Sequence, residues 1–266
     1  MNQTFSVSRF GRLLRKYFID SRGQLLANLG LLMVVLLAVA FILYSGNPLP
    51  VSRNRVIPFF FIGWAAWYVF IWQQTEALNH KERAMTYLMQ PASQLEKIGL
   101  IWLVSGAGFV VVYCLLFGLV DVAGVQYVNS REWPAGTPVL EPYYYTFEGF
   151  KPNLWVLTVL LHPFALVFLL VVRRYSLPSV AILTFLLIFL GIILNSLIMG
   201  SLIDIGEGNR IAPFDRLGVP SPINKKLYRL IDLPQPIGNQ IRYAVGLLAV
   251  VILYITAYFR LKEREV

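Results

Sequence analysis

Very few residues in this chain could perform bond-making chemistry. Its 266 residues include two histidines and one cysteine. His80 falls in a polar stretch, His162 in an apolar one, and Cys114 inside a third apolar run. That distribution gives no paired imidazole site, no Cys/His cluster with metal-ligand spacing and no intrachain disulfide. GxxxxGK[ST], HExxH and GxSxG are all absent from the sequence, so no motif for ATP hydrolysis, zinc proteolysis or acyl transfer is present. No enzyme is expected. The spacing that does carry information is Ser93-x-x-Glu96, directly ahead of an apolar run. In that spacing each side chain accepts from a free backbone donor of the other residue at a helix start. Just upstream, Glu76, Lys81, Glu82 and Arg83 supply the polar face of a patterned stretch.

These residues are positioned by elements made for lipid. The chain is 57% hydrophobic and only 14% charged, against about 25% charged in soluble domains. Its apolar residues gather into runs near the roughly 20 residues that a helix needs to cross a hydrocarbon core. Six spans are expected: Leu25 to Tyr44, Val56 to Trp72, Ile98 to Val120, Leu154 to Val172, Leu177 to Gly200 and Tyr243 to Phe259. None alternates as an outer-membrane strand would. The expected fold is an all-α integral membrane protein: an N-terminal amphipathic interfacial helix over residues 1–24, then a single six-helix domain over 25–266. The polar stretches between spans are an inner loop at 73–97 and outer loops at 125–153 and 201–241.

Charge predicts orientation, because positive residues in short loops face the cytoplasm. With both termini inside, the inner segments hold Arg9, Arg12, Arg15, Lys16, Arg22, Lys81, Arg83, Lys97, Arg173, Arg174, Arg260, Lys262 and Arg264, whereas the two shorter outer loops hold Arg53, Arg55, Arg131 and Lys151. The formal charge of +9 is then accounted for by inner rims beside anionic headgroups, without nucleic acid. In the N-terminal segment Phe10, Leu13, Leu14, Tyr17 and Phe18 share one helical face, and Arg9, Arg12, Arg15 and Lys16 fall largely on the others. That pattern predicts a helix at the inner membrane interface.

The inner loop "QQTEALNHKERAMTYLMQPASQLEK" is also patterned. Leu78, Met85, Leu88 and Met89 make an apolar face, Pro91 disfavours helix at Gln90, and the Ser93–Glu96 box starts the third span at Gln94. An amphipathic helix, a forced break and a capped start together make a hinge. Within the spans, Asp121 is expected to reach water near the outer end, and His162 to bond a backbone carbonyl freed by Pro163. Asn195 and Ser196 are expected to bond a neighbouring helix. The aromatics of the first outer loop, among them Trp133 and Tyr143, read as interfacial anchors. Residues Leu227 to Leu233 read as a short helical or re-entrant piece.

Three segments resemble a known family. "YLMQPASQLEK" (Tyr87 to Lys97), the tail "YFRLKEREV" (Tyr258 to Val266) and the turn "VVRRYSLPS" (Val171 to Ser179) are similar to segments of ABC-2 type permeases from Bacteroidota-like bacteria. The resemblance implies a transmembrane subunit in the cell inner membrane, acting as a homodimer or related heterodimer. ATP and Mg would be bound by a separate ATP-binding cassette ATPase, with no cofactor on this chain. The family's coupling helix would fall on 75–89. Site residues implied for ATPase coupling are Glu76, Lys81, Glu82, Arg83, Met85, Leu88, Gln90, Pro91, Ser93, Glu96 and Lys97. The outer loop departs from the polysaccharide exporters of that fold, so no substrate carries over. The rival reading is a non-transporting anchor or sensor of a cell-envelope complex. A secondary transporter would call for more intramembrane charge and an internal repeat.

Overall fold

The computed structural model describes residues 5–46, 51, 54–79, 91–134, 137, 139–143, 152–172, 177–184, 186, 189–190, 193, 197, 210–211, 216–220, 228–232 and 237–263. The chain divides into two compact units, Met1–Thr146 with Leu261–Val266, and Phe147–Arg260. Among the described residues four helices are long and apolar enough to cross a membrane: Val7–Tyr44, Val56–Glu76, Gln94–Asn129 and Tyr243–Glu263. The fourth expected span is present as an apolar helix, and the fifth is described only in part.

In the first unit, helix α1 runs unbroken over the 38 residues Val7–Tyr44. No break falls at the boundary expected at residue 24, so 7–24 is not a separate helix. The physical reason is local. No proline interrupts Val7–Tyr44, and a break would leave backbone donors and acceptors at two new helix ends. The helical glycines Gly11, Gly23 and Gly30 each cost only about 1 kcal/mol against alanine. Arg12, Arg15 and Lys16 are exposed and Leu13, Leu14 and Tyr17 half-buried, but Phe18 of the same expected face is exposed.

Helix α2, Val56–Asn79, continues past the end expected at Trp72. Its polar inner turns are tied to α1: the Tyr17 hydroxyl donates to Gln74 Oε1 (2.6 Å) and Asn28 Nδ2 to Gln73 Oε1 (2.6 Å). Tyr17 and Asn28 are eleven residues apart, about three turns, and so share one face. Helix α3 runs Gln94–Asn129 with a seven-residue π-helical segment, Trp102–Gly108. It packs on α2 through aromatics. The Tyr113 hydroxyl donates to the Phe59 carbonyl (2.6 Å), and Phe59 lies edge-on to Phe117 with centroids 4.9 Å apart. Gly63 leaves room for the Tyr113 ring, which a Cβ there would meet at 2.8 Å.

Beyond α3 the chain folds back on the helix. Asn129 exchanges two hydrogen bonds with the Leu140 backbone (2.8 and 3.0 Å), and Trp133 Nε1 donates to the Val128 carbonyl (2.9 Å). Tyr44, Val51, Val125, Val128 and Leu140 form a buried cluster, with Trp133 packed against it. Trp133 is thus used inside the unit rather than only as an anchor.

In the second unit, α4 (Pro152–Val171) carries Pro163 internally, residues 177–184 are helical and form α5, and α6 is Ile237–Glu263, whose last residues belong to the first unit. His162 is buried, and its Nδ1 lies 2.8 Å from the Tyr254 hydroxyl of α6. That hydroxyl is a partner the sequence did not suggest. Within the piece expected at Leu227 to Leu233 to be helical or re-entrant, Tyr228–Asp232 is a strand, which qualifies the all-α expectation. Strands β1 (Arg210–Ile211), β2 (Arg216–Pro220) and β3 (Tyr228–Asp232) form one antiparallel sheet in that order. The register sets Leu217 opposite Ile231 and Arg216 opposite Asp232. Pro220 ends β2 beyond the reach of the two-residue β1, where its missing N–H costs no ladder bond.

Close packing at glycine gives a test. A Cβ on Gly124 would stand 2.4 to 2.7 Å from the buried Tyr44 ring, whereas one on Gly118 of the same helix meets nothing within 4 Å. Gly124→Ala is expected to cost about 1–3 kcal/mol through overpacking, and Gly118→Ala to stabilise by up to about 1 kcal/mol. Thermal unfolding in detergent compares them; equal effects would contradict the packing.

Candidate functional site

Two helices begin side by side at one end of the first unit, the end expected to be the inner one. Ser93 is the N-cap of α3, and its Oγ accepts from the Glu96 backbone N–H (3.2 Å) while Glu96 Oε2 accepts from the Ser93 N–H (2.9 Å). The capping box is complete, and the helix starts at Gln94 as its spacing predicts. Ser6 is the N-cap of α1, yet its own side chain makes no capping bond. The missing acceptor comes from Glu96. Its Oε1 accepts from the Ser6 backbone N–H (2.7 Å), and from Arg9 Nη2 (3.1 Å) and Nε (3.3 Å).

One carboxylate therefore caps two helices. It is wholly buried, at 0% exposure, and Lys97 beside it is 1% exposed. Burial pushes its pKa up, but the hydrogen bonds from the Ser93 and Ser6 amides and from Arg9 outweigh this and leave it below the ordinary glutamate value. Glu96 lies in the polar turn ahead of the apolar run that begins at Ile98. A negative charge there also complements the helix N-termini. The Phe10 ring packs over Gly99, 3.5 Å from where a Cβ would stand, closing the joint on its apolar side.

Of the residues expected to couple to an ATPase, the structure brings Ser93, Glu96 and Lys97 into this joint. Pro91 is exposed just before it. Gln94 is half-buried, with an Oε1 that has no hydrogen-bond partner among the described residues. Glu76 is half-buried near the inner end of α2. Lys81, Glu82, Arg83, Met85, Leu88 and Gln90 lie outside the described residues, as does the expected coupling helix beyond Asn79. Arg9, expected only at the membrane interface, pairs with Glu96 instead (3.1 Å). Arg12, Arg15 and Lys16 stay free of the joint.

A second polar cluster lies at the far end of α3, and the sequence reading missed it. Asp121 does not reach water: it is 2% exposed and Arg55 6%. Asp121 Oδ1 accepts from the Tyr44 hydroxyl and from Arg55 Nη1 (3.3 Å), and Oδ2 from the Tyr143 backbone N–H (2.6 Å). Arg55 Nη1 also donates to the Glu141 carbonyl (2.7 Å), and its guanidinium sits over the Tyr143 ring, 5.5 Å from the centroid. The cluster fastens α1, the approach to α2, α3 and the returning outer segment to one another. The signal that could have found it was an arginine just before the second span and an aspartate at the same side of the third. Among the described residues no group of three or more His, Cys, Asp or Glu could hold a metal ion.

The inner joint predicts a rank order of losses. Glu96→Ala removes acceptors from both helix starts and is expected to cost about 3 kcal/mol, at the low end for a broken buried pair because Arg9 keeps access to solvent. Ser93→Ala should cost about 1 kcal/mol, and Arg9→Ala about 1.5 kcal/mol, because it takes a charged donor from a buried carboxylate that keeps two amide donors. Equal losses for Arg9→Ala and Glu96→Ala in detergent unfolding would make the ion pair, not the caps, the main contribution. No described protein family matches this chain, and neither a curated protein nor a solved structure is detectably similar to it.

Proposed function

We propose that this chain is the transmembrane permease subunit of an ABC transporter, taking its drive from a separate ATP-binding subunit through the 73–97 segment. The observation that carries the reading is the double cap at Glu96. A force applied to the segment before Pro91 meets a helix start that cannot swivel alone, because the same carboxylate holds Ser6 and Arg9 of α1. Movement there passes into two helices of spanning length together. The absence of a phosphate-binding loop from the chain agrees with an energy source on another subunit. A conformational switch needs a ligand with different affinity for the two states, and ATP-bound partner subunits would supply it.

Co-expression with ABC ATPase subunits encoded near it tests the reading. The expected result is a complex that survives purification in detergent and an ATPase rate that depends on this chain. Glu82→Ala with Arg83→Ala is expected to weaken docking or uncouple hydrolysis while leaving membrane insertion unchanged. Failure of every such ATPase to bind would overturn the assignment and favour the anchoring role. Binding with unchanged coupling in the double variant would remove Glu82 and Arg83 from the contact.

A further inference from the structure

The π-helical segment in the middle of α3 is explained neither by the inner joint nor by the outer cluster. Seven residues, Trp102–Gly108, leave the α register, and at the segment's end the Phe109 N–H reaches back to the Val104 carbonyl, five residues earlier. Such segments are uncommon and concentrate at functional sites. This one is built into the sequence at two points. Gly108 is the first: a Cβ there would stand 2.9 Å from the Leu103 carbonyl oxygen, a backbone atom that cannot rotate aside. Trp67 is the second. From α2 its indole N–H donates to the Ser105 carbonyl inside the segment. A carbonyl has two lone pairs, so a donor from a neighbouring helix favours the register in which that carbonyl tilts outward.

The surroundings favour a defined movement over a static irregularity. Ser105 bonds back to the Ile101 carbonyl (2.7 Å), so its side chain stays local. Trp67 stacks on Phe109 with centroids 5.9 Å apart and planes 8° from parallel, and Phe109 stacks on Tyr113 at 5.9 Å and 6°. Flat stacked rings can slide past one another with little loss of contact, unlike interlocked aliphatic side chains. The helix on either side of the segment is regular, and each end is held by a buried carboxylate, Glu96 or Asp121.

We propose that Trp102–Gly108 is a switchable register segment: α3 exchanges there between π and α forms, and the Trp67 indole on the Ser105 carbonyl is the latch that holds the π form. The exchange changes the length and twist of α3 between its two pinned ends. It is a property of the chain alone and does not depend on any ATPase.

The test measures the helix across the segment. Leu95 and Leu115 flank it and are both exposed, at 51% and 62%. Spin labels on Leu95→Cys and Leu115→Cys, in a Cys114→Ala background of the full chain in lipid nanodiscs, report their separation by pulsed EPR. A π turn advances less per residue than an α turn, so the α form is the longer. The parent is expected to show one dominant distance. Trp67→Phe keeps the ring and removes the donor, which should raise the share of a longer distance by about two- to tenfold, the equivalent of one hydrogen bond. Gly108→Ala should shift it the same way. Trp102→Phe, an exposed tryptophan outside the latch, should match the parent. A single parental distance in both Trp67→Phe and Gly108→Ala overturns the proposal, and so does an equal shift in Trp102→Phe. Should Gly108→Ala fail to fold, Trp67→Phe decides alone.

Discussion

A carboxylate sealed from water has to be surrounded by hydrogen-bond donors, and Glu96 obtains its donors from two helix starts at once. The Ser93 amide closes the capping box, while the Ser6 amide and the Arg9 guanidinium come from α1. This requirement sets the inner geometry of the first unit. Moving α1 relative to α3 would strip donors from a buried charge, a far larger penalty than the net gain of any one of those bonds. A buried charge of this kind adds little net stability over an apolar replacement. What it adds is a single permitted arrangement of the two helices.

The opposite end of α3 follows the same logic with different parts. Asp121 draws donors from α1, from the approach to α2 and from the backbone at Tyr143. The described residues after α3 are not helical, and polar bonds to α3 together with the Trp133 and Leu140 contacts fix their position. Between the two carboxylates α2 meets α3 through aromatic rings, with Gly63 placed where the Tyr113 ring needs the space. Polar groups thus locate the ends, and stacked rings fill the middle.

How much of this was legible in the sequence depended on range. Ser93-x-x-Glu96 is a local signal, and the structure places the cap and the start of α3 where that spacing puts them. Apolar run length located the spanning helices but not their ends, because polar turns continue a helix cheaply once it is nucleated; α1 and α2 both run past the apolar limits. The second duty of Glu96 was hidden, since Ser6 and Arg9 lie about 90 residues away. Asp121 was misread because an acid near a span's end ordinarily finds water, and only the fold supplies Tyr44 and Arg55. The strand at Tyr228–Asp232 was lost in a short run of mixed pattern, where pairing with β2, not local preference, decides the outcome.

Helix α1, with 38 residues in one piece, is about 57 Å long at 1.5 Å per residue, nearly twice the thickness of a bilayer core. A stiff body of that length magnifies angle into distance. Pivoting about its midpoint by about 10° would carry each tip through about 5 Å, close to one helical turn. Small tilts within the lipid would therefore appear as large displacements at the tip where Ser6 meets Glu96, and a modest push there would need only a slight reorientation of the buried part.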